Sequence, residues 1–330
     1  MSSKKNILVV GATGLQGRAL IRALDRSNTE GIHILALTRT PTSAGAQSLA
    51  KEYPSLISLV QGDLNSAESL RAVFDSSGEG VWGVFCVLGF PGLGVNADAE
   101  EKQGKLIADL ALEYNVSAFV FSSAERGGEY YDDQTTFDTR AKVNIERYIR
   151  ALGHRGLAWT ILRPGFFMEN YDGLIGAIAV GVLKYGLKPT TTNRMVAVDD
   201  IGAVAAAIFN DLDRYASQIM VVSGEITTMS QQDKAYREAT GKYLPSIPKP
   251  IAKLVIALNV HTRELLNDLE RKHEARETGL CPEVVEQTAA AMTAHPGMLT
   301  IQGWAKSRGG SSARKGWNQL SIMSILTGGQ

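Results

Sequence analysis

Cysteine is scarce in this chain. Only Cys86 and Cys281 occur in 330 residues, in neither a C-x-x-C nor a His-rich spacing. No metal site is expected from them, a disulfide framework does not fit, and a reducing compartment does. An excess of one charge is missing too, because 34 Lys and Arg balance 34 Asp and Glu. Without a broad basic field the chain has no footprint for direct binding of nucleic acid. Long apolar runs are also lacking. The longest, Leu174–Leu183, is about half the ~20 residues of a membrane span, so no membrane insertion is expected. The start, Met1–Lys5, is short and polar and leads directly into a strand, with no signal-like apolar region. These absences point to the cytoplasm, or to the nucleus.

What is present is ordinary globular usage, 44% hydrophobic and 21% charged. The β-runs Asn6–Val10, Ile32–Leu37, Leu56–Val60, Val81–Leu88, Val116–Phe121 and Leu157–Leu162 alternate with helical patterns at Leu15–Asp25, Ser66–Phe74, Ala97–Tyr114 and Phe137–Leu152. Such alternation predicts an α/β fold, a doubly wound parallel sheet of Rossmann type. The runs are rich in Val, Ile, Leu and Phe without strict alternation, as strands covered on both faces require. Residues 1–164 are assigned to this domain, its sheet completed by segments up to about 222. After Pro164 the alternation loosens. Gly, Pro and Thr cluster at Gly186–Asn193 before an apolar helix at Ile201–Phe209 and a strand at Gln218–Val222. Helical patterning at Lys234–Thr240 and Ile251–Arg276 indicates a smaller, mainly helical α+β domain over 165–308, followed by a tail of uncertain order, 309–330.

The chemistry concentrates in VVGATGLQGRAL, where Gly11, Gly14 and Gly17 stand at G-x-x-G-x-x-G spacing between the first strand and first helix. A pyrophosphate needs backbone N–H groups and the positive end of a helix dipole. Side chains at Gly11 or Gly14 would obstruct it, and Gly17 lets the helix approach the sheet. Gly11, Thr13, Gly14, Leu15, Gln16 and Gly17 are therefore assigned to a dinucleotide, although the usual fingerprint is G-x-G-x-x-G. The second strand ends in Leu37-Thr38-Arg39-Thr40, with no acid for a ribose 2′-hydroxyl. A guanidinium between hydroxyls suits a 2′-phosphate, so Arg39 points to NADP(H) rather than NAD(H). Asp63 and Leu64 follow the third strand, where adenine would lie, and Asp63 equally suits a helix entry. Gly89, in the loop Leu88–Gly92, lets backbone approach the cofactor.

GATGLQG, Gly62-Asp63-Leu64, Gln103-Gly104-Lys105, Phe121-Ser122-Ser123, Arg163-Pro164-Gly165-Phe166-Phe167-Met168-Glu169-Asn170 and Val198-Asp199-Asp200-Ile201-Gly202 together resemble the NmrA-like family of atypical short-chain dehydrogenases. His295-Pro296-Gly297 and Trp304 are similar to that family's C-terminal end. The resemblance spans nearly all of Lys4–Arg308 and implies its Rossmann fold and NADP binding, with Pro164 at the cofactor and Asn170 near the cleft. Phe166, Phe167 and Met168 either line an apolar substrate pocket or pack the core. The Tyr-x-x-x-Lys dyad of the broader family is absent. In relatives a lysine stands in a stretch resembling FDSKAEVE; against Phe137-Asp138-Thr139-Arg140-Ala141-Lys142, Arg140 takes the lysine's place and Thr136 the tyrosine's. Arg140 is assigned to ribose or phosphate. Lys142 lies ~200° round the helix from it and is not assigned. The catalytic group is left open among Ser123, Tyr130 and Tyr131, beside bland roles for each.

Two functions remain. One is a cofactor-sensing regulator, in which NADP(H) alters affinity for a protein partner such as a transcription factor, as the resemblance to NmrA-type regulators implies. The missing dyad and the neutral net charge favour it. The other is an NADPH-dependent reductase of a small apolar quinone, enone or carbonyl compound, since an electron-poor acceptor needs less help from an acid. Either fits a monomer or a homodimer.

Overall fold

A computed structural model describes residues 5–27, 31–89, 97–135 and 137–308. The features assigned to residues 1–4, 90–92, 136 and 309–330 lie outside it. Strand and helix alternate as β1 (Lys5–Val10), α1 (Leu15–Ser27), β2 (Ile32–Thr38), α2 (Ala44–Glu52), β3 (Ile57–Gln61), α3 (Ala67–Asp75), β4 (Gly83–Cys86), α4 (Asp98–Glu113), β5 (Ala118–Ser122), α5 (Phe137–Gly153) and β6 (Trp159–Pro164). There follow β7 (Phe166–Phe167), α6 (Gly173–Gly186), β8 (Thr192–Val196), α7 (Val198–Asn210), the single turn α8 (Leu212–Tyr215) and β9 (Gln218–Val222). The rest is β10 (Glu225–Thr228), α9 (Met229–Thr240), α10 (Lys249–Leu258), α11 (Val260–Glu277), α12 (Glu283–Ala294) and α13 (Ile301–Ser307).

Seven strands form one parallel sheet in the order β3-β2-β1-β4-β5-β6-β9. The apolar runs follow from its two covered faces. In β1, Ile7 and Val9 belong to the core beneath α1 and α7, while Leu8 and Val10 belong to the opposite core beneath α3, α4 and α5. Every residue of β4, β5 and β6 is buried. The strand order reverses between β1 and β4, which opens a crevice at their carboxyl ends, the place where open α/β sheets receive ligands.

A second sheet, β10-β8-β7, stands beyond that crevice. With α6, α9, α10, α11 and α13 it encloses a third core around Met168, Tyr171, Leu183, Met195, Leu269 and Trp304. Pro164 is not a spatial boundary, however. Beyond it the chain returns three times to the large sheet: α7 packs on α1, β9 extends the sheet beside β6, and α12 covers β9. Gly202 of α7 lies so close to the Ala19–Leu20 backbone that a Cβ there would collide with it. The stretch expected as one helical pattern, Ile251–Arg276, is broken at Asn259, whose Oδ1 accepts from Thr262 N at 3.0 Å and starts α11 afresh.

Candidate functional site

The glycine-rich turn is built from the inside out. Gly11 has φ +79°, and a Cβ on it would stand 2.7 Å from the Val87 carbonyl oxygen. A Cβ on Gly17 would collide with the Gly11 carbonyl. Gly17 is thus buried against the turn and does not line the cleft, so its assignment to direct cofactor contact is corrected to packing. Gly14 differs from both. Its amide donates to Gly11 O at 3.0 Å, a Cβ would meet only that oxygen at 3.2 Å, and its outer side is open. Thr13, Gly14, Leu15 and Gln16 line the cleft with Gly11. The first turn of α1 carries no acidic residue, leaving its amides and positive dipole end for an anion. The Ser122 hydroxyl donates to Gln16 Oε1 at 2.6 Å, tying the turn to the end of β5.

Along the same edge, Arg39 stands exposed at the rim beyond β2, and Thr38 Oγ1 accepts from Thr40 N at 3.2 Å. Asp63 and Leu64 also line the cleft. Asp63 is committed to a turn entering α3: Oδ1 accepts from Asn65 N and Nδ2, each at 3.0 Å, and its own amide donates to Ser69 Oγ at 3.1 Å. Gly89 lines the cleft beyond β4, where a Cβ would meet nothing within 4 Å.

The cleft encloses about 1550 Å³. A typical small-molecule pocket holds ~300–1,000 Å³, so there is room for a dinucleotide and a second ligand. From the glycine turn it runs past Ser123 and Pro164 into a chamber walled by Phe166, Phe167, Ile178, Val182 and Leu265, with Asn170 at its side. Met168 is fully buried in the third core and does not reach it. Tyr130 is exposed, Tyr131 packs against Val221, Ala275, Cys281 and Val284, and neither lines the cleft. Arg140 also lies outside it. Its guanidinium donates to the Thr135 carbonyl at 2.8 Å and the Asp133 carbonyl at 3.4 Å, closing the turn before α5.

The lysine that α5 brings to the cleft is Lys142. Core packing fixes the roll of α5 through Ile145 and Ile149, and Lys142 precedes these by three and seven residues, on the same side of the helix. Its Nζ pairs with the buried carboxylate of Glu100 on α4. Matching the motif along the sequence selected the wrong residue; counting helix register back from the isoleucines would have selected this one. Cys86 lies beneath the pair. Burial first, and Glu100 second, push its thiol well above the usual range, so it is not a nucleophile.

The inner end of the cleft is polar, with no motif to announce it. Asn193 and Arg194 of β8 line it, as do Lys272 and Arg276 of α11 and Glu125 beyond β5. Glu125 Oε1 lies 4.0 Å from Arg194 Nε and accepts from Gly127 N at 2.8 Å. Arg276 Nη2 bonds the Thr192 carbonyl and its hydroxyl, the latter at 2.9 Å. Burial lowers both arginines from their ordinary value, and for Arg276 the neighbouring Arg194 adds to the effect. Asn193 Nδ2, Asn193 Oδ1, Arg194 Nε and Arg276 Nε here are buried without a hydrogen-bond partner, as is Ser123 Oγ nearer the glycine turn.

A doubly wound α/β protein with a glycine-turn anion cradle at the sheet reversal defines a Rossmann-type class. The NmrA-like family matches residues 3–293, and the chain belongs to it. The NmrA-like family domain-containing oxidoreductase ptmS of Penicillium ochrochloron is 28% identical over 277 residues, covering 74% of this chain and 77% of that protein. The phenylcoumaran benzylic ether reductase Pyrc5 of Pyrus communis is 26% identical over 270 residues, covering 77% and 81%. Among solved structures, the negative transcriptional regulator NmrA in complex with NADP superposes with a TM-score of 0.64 at 19% identity, covering 92% of this chain and 95% of that one. An NADPH-dependent quinone oxidoreductase of Escherichia coli, complexed with NADPH, gives 0.64 at 19%, covering 91% and 99%.

Proposed function

We propose that the chain is an NADP(H)-dependent reductase of a small, largely apolar carbonyl, quinone or enone compound. The observation that carries this is the continuity of one cleft from the cradle at Gly14, past Lys142, into an apolar chamber beyond any dinucleotide. Its residues fit the cofactor. Gly14 leaves open the space that a Cβ would fill, the amides of Leu15 and Gln16 stand at the positive end of α1, and Arg39 supplies a cation where a 2′-phosphate is distinguished from a hydroxyl. That relatives include oxidoreductases and a benzylic ether reductase supports it.

When bound, NADPH supplies the hydride. The chain orients the acceptor between Phe166, Phe167 and the α6 wall, and these apolar groups exclude water. The Lys142 ammonium stabilises the substrate oxygen that gains negative charge, and Glu100 fixes where it stands. The unpartnered Ser123 hydroxyl donates a second hydrogen bond there. Lys142 or a water it holds returns the proton.

A cofactor-sensing regulator acting through a protein partner keeps one observation in its favour: no tyrosine lines the cleft among the described residues. Calorimetric titration with NADP+, NADPH, NAD+ and NADH, followed by NADPH oxidation against quinones, enones and aldehydes, separates the two. Turnover lost on Lys142→Met establishes the reductase; tight binding of the oxidised form with no turnover supports the sensor. Arg39→Ala is expected to weaken NADP(H) about ten- to hundredfold while NAD(H) changes little. Equal losses for both would refute the 2′-phosphate assignment.

A further inference from the structure

The inner end of the cleft carries more positive charge than its own carboxylates answer. Lys272 and Arg271 share Asp268, with Lys272 Nζ at 2.7 Å from Oδ2. Arg194 reaches Glu125 only at 4.0 Å, and that carboxylate also serves the Gly127 amide. Arg276 has no carboxylate within ion-pair distance among the described residues and rests on Thr192. Arg194, Arg271, Lys272 and Arg276 thus have Glu125 and Asp268 as their ion-pair carboxylates, while Glu264 and Glu277 stand beside His261 and His273.

Burial makes the imbalance informative. Arg194 is only 8% exposed and Asn193 3%, and both line the cleft. Arg194 Nε and both polar atoms of the Asn193 side chain lack partners. A buried polar group left unpaired costs about 1–3 kcal/mol, more when it is charged. Such groups lining a cavity are those that a ligand satisfies. Guanidinium donors select an anion, and their planar fork matches a carboxylate.

We infer that this end of the cleft is a subsite for a carboxylate of the substrate, bound by Arg194 and Arg276 with the Asn193 amide beside them. The inference rests on the reductase proposal for what the cleft holds and narrows its substrate to an apolar molecule bearing a carboxylate. An acid inserted this way points its apolar body back along Phe166 and Phe167 toward Lys142.

The test is calorimetric titration of the full chain, with and without NADPH, using hydrocinnamate, hydrocinnamamide and methyl hydrocinnamate, three ligands of one shape of which only the first is charged. Hydrocinnamate is expected to bind at least about tenfold more tightly than the other two. Arg276→Leu should abolish that preference, and so should Arg194→Met. Thermal melts identify a variant that fails to fold, and Arg276→Leu, whose site is only half-buried, carries the test if Arg194→Met does. NADPH titrated into the same samples should bind each folded variant as it binds the parent. Arg39→Ala must leave the carboxylate preference intact, since its loss there would assign the anion to the cofactor's phosphate site and overturn the proposal. Equal affinity for the three ligands, or no binding by any of them, overturns it as well. Failure of NADPH to bind the parent sinks the reductase proposal separately.

Discussion

The three glycines of the first turn answer to different neighbours, and substitution separates them. Gly17 faces the Gly11 carbonyl, so Gly17→Ala is expected to destabilise the protein by about 1–3 kcal/mol, measured as a lower denaturant midpoint. Gly14 meets nothing tighter than 3.2 Å. Gly14→Ala should leave the midpoint nearly unchanged and weaken NADP(H) at least tenfold, by roughly the scale of one lost charge-assisted contact. Equal destabilisation by both would mean that Gly14 too is structural. The positions 140 and 142 form a second contrast. Lys142→Met is expected to lower kcat about 100- to 10,000-fold, the range of a lost acid–base group, whereas Arg140→Met, which frees the Thr135 and Asp133 carbonyls from a side chain that does not itself line the cleft, should change kcat little. The glycine turn was legible in the sequence because its spacing states a backbone requirement. Lys142 was not, because a short motif carries residue types but not the roll of a helix, and that roll is set by what Ile145 and Ile149 pack against.

Among the elements, α5 is pinned by charge as well as by its apolar face. Glu146 bonds Arg126 at 2.7 and 2.9 Å and Arg163 Nη2 at 2.6 Å, and Arg126 also meets Asp132 at 2.5 Å, all of them buried. Burial alone would raise the Glu146 carboxyl, but Arg163 and Arg126 outweigh it and bring the group down to about 2. A carboxyl depressed in the fold stabilises fully above its ordinary value of 4.5 and loses that contribution as pH falls toward about 2. Stability should therefore drop across that acid window. Glu146→Gln, which takes from two buried guanidiniums the carboxylate they share and leaves them only Asp132 and Glu129, is expected to cost about 3–5 kcal/mol at neutral pH and to flatten the acid loss. An unchanged acid profile in the variant would locate the sensitivity elsewhere. Apart from Arg163, which stood in a motif with no role attached, none of these residues stood out in the sequence, since a buried arginine is spelled like an exposed one. For the same reason β1 to β6 were legible and β8 and β10 were not. The former are apolar because both faces are covered, while Thr192–Val196 and Glu225–Thr228 are largely polar. The α6 helix was obscured by four glycines among apolar residues.

For the molecule as a whole, the parallel sheet could be anticipated from alternation, but the way residues 165–308 contribute to it could not. No local pattern says that α7 and α12 come home to β1 and β9. A fragment ending at Pro164 lacks α7, β9 and α12 and would expose Leu20, Ile34, Phe85 and their neighbours in the first core. It is expected to be insoluble or molten, with no cooperative melt, while residues 5–308 should unfold in a single transition. A cooperative, cofactor-binding 1–164 fragment would show the two parts to be separable after all.

The return of α12 to β9 also orders events during synthesis. At ~5–20 residues per second a ribosome takes roughly 4–14 s to pass from Val222 to Ala294. Throughout that interval β9 has been made, and the helix that covers it has not. The nascent chain then carries an unshielded sheet margin at Met220 and Val222, which is where holding chaperones would bind and where a stalled or prematurely ended chain would begin to associate.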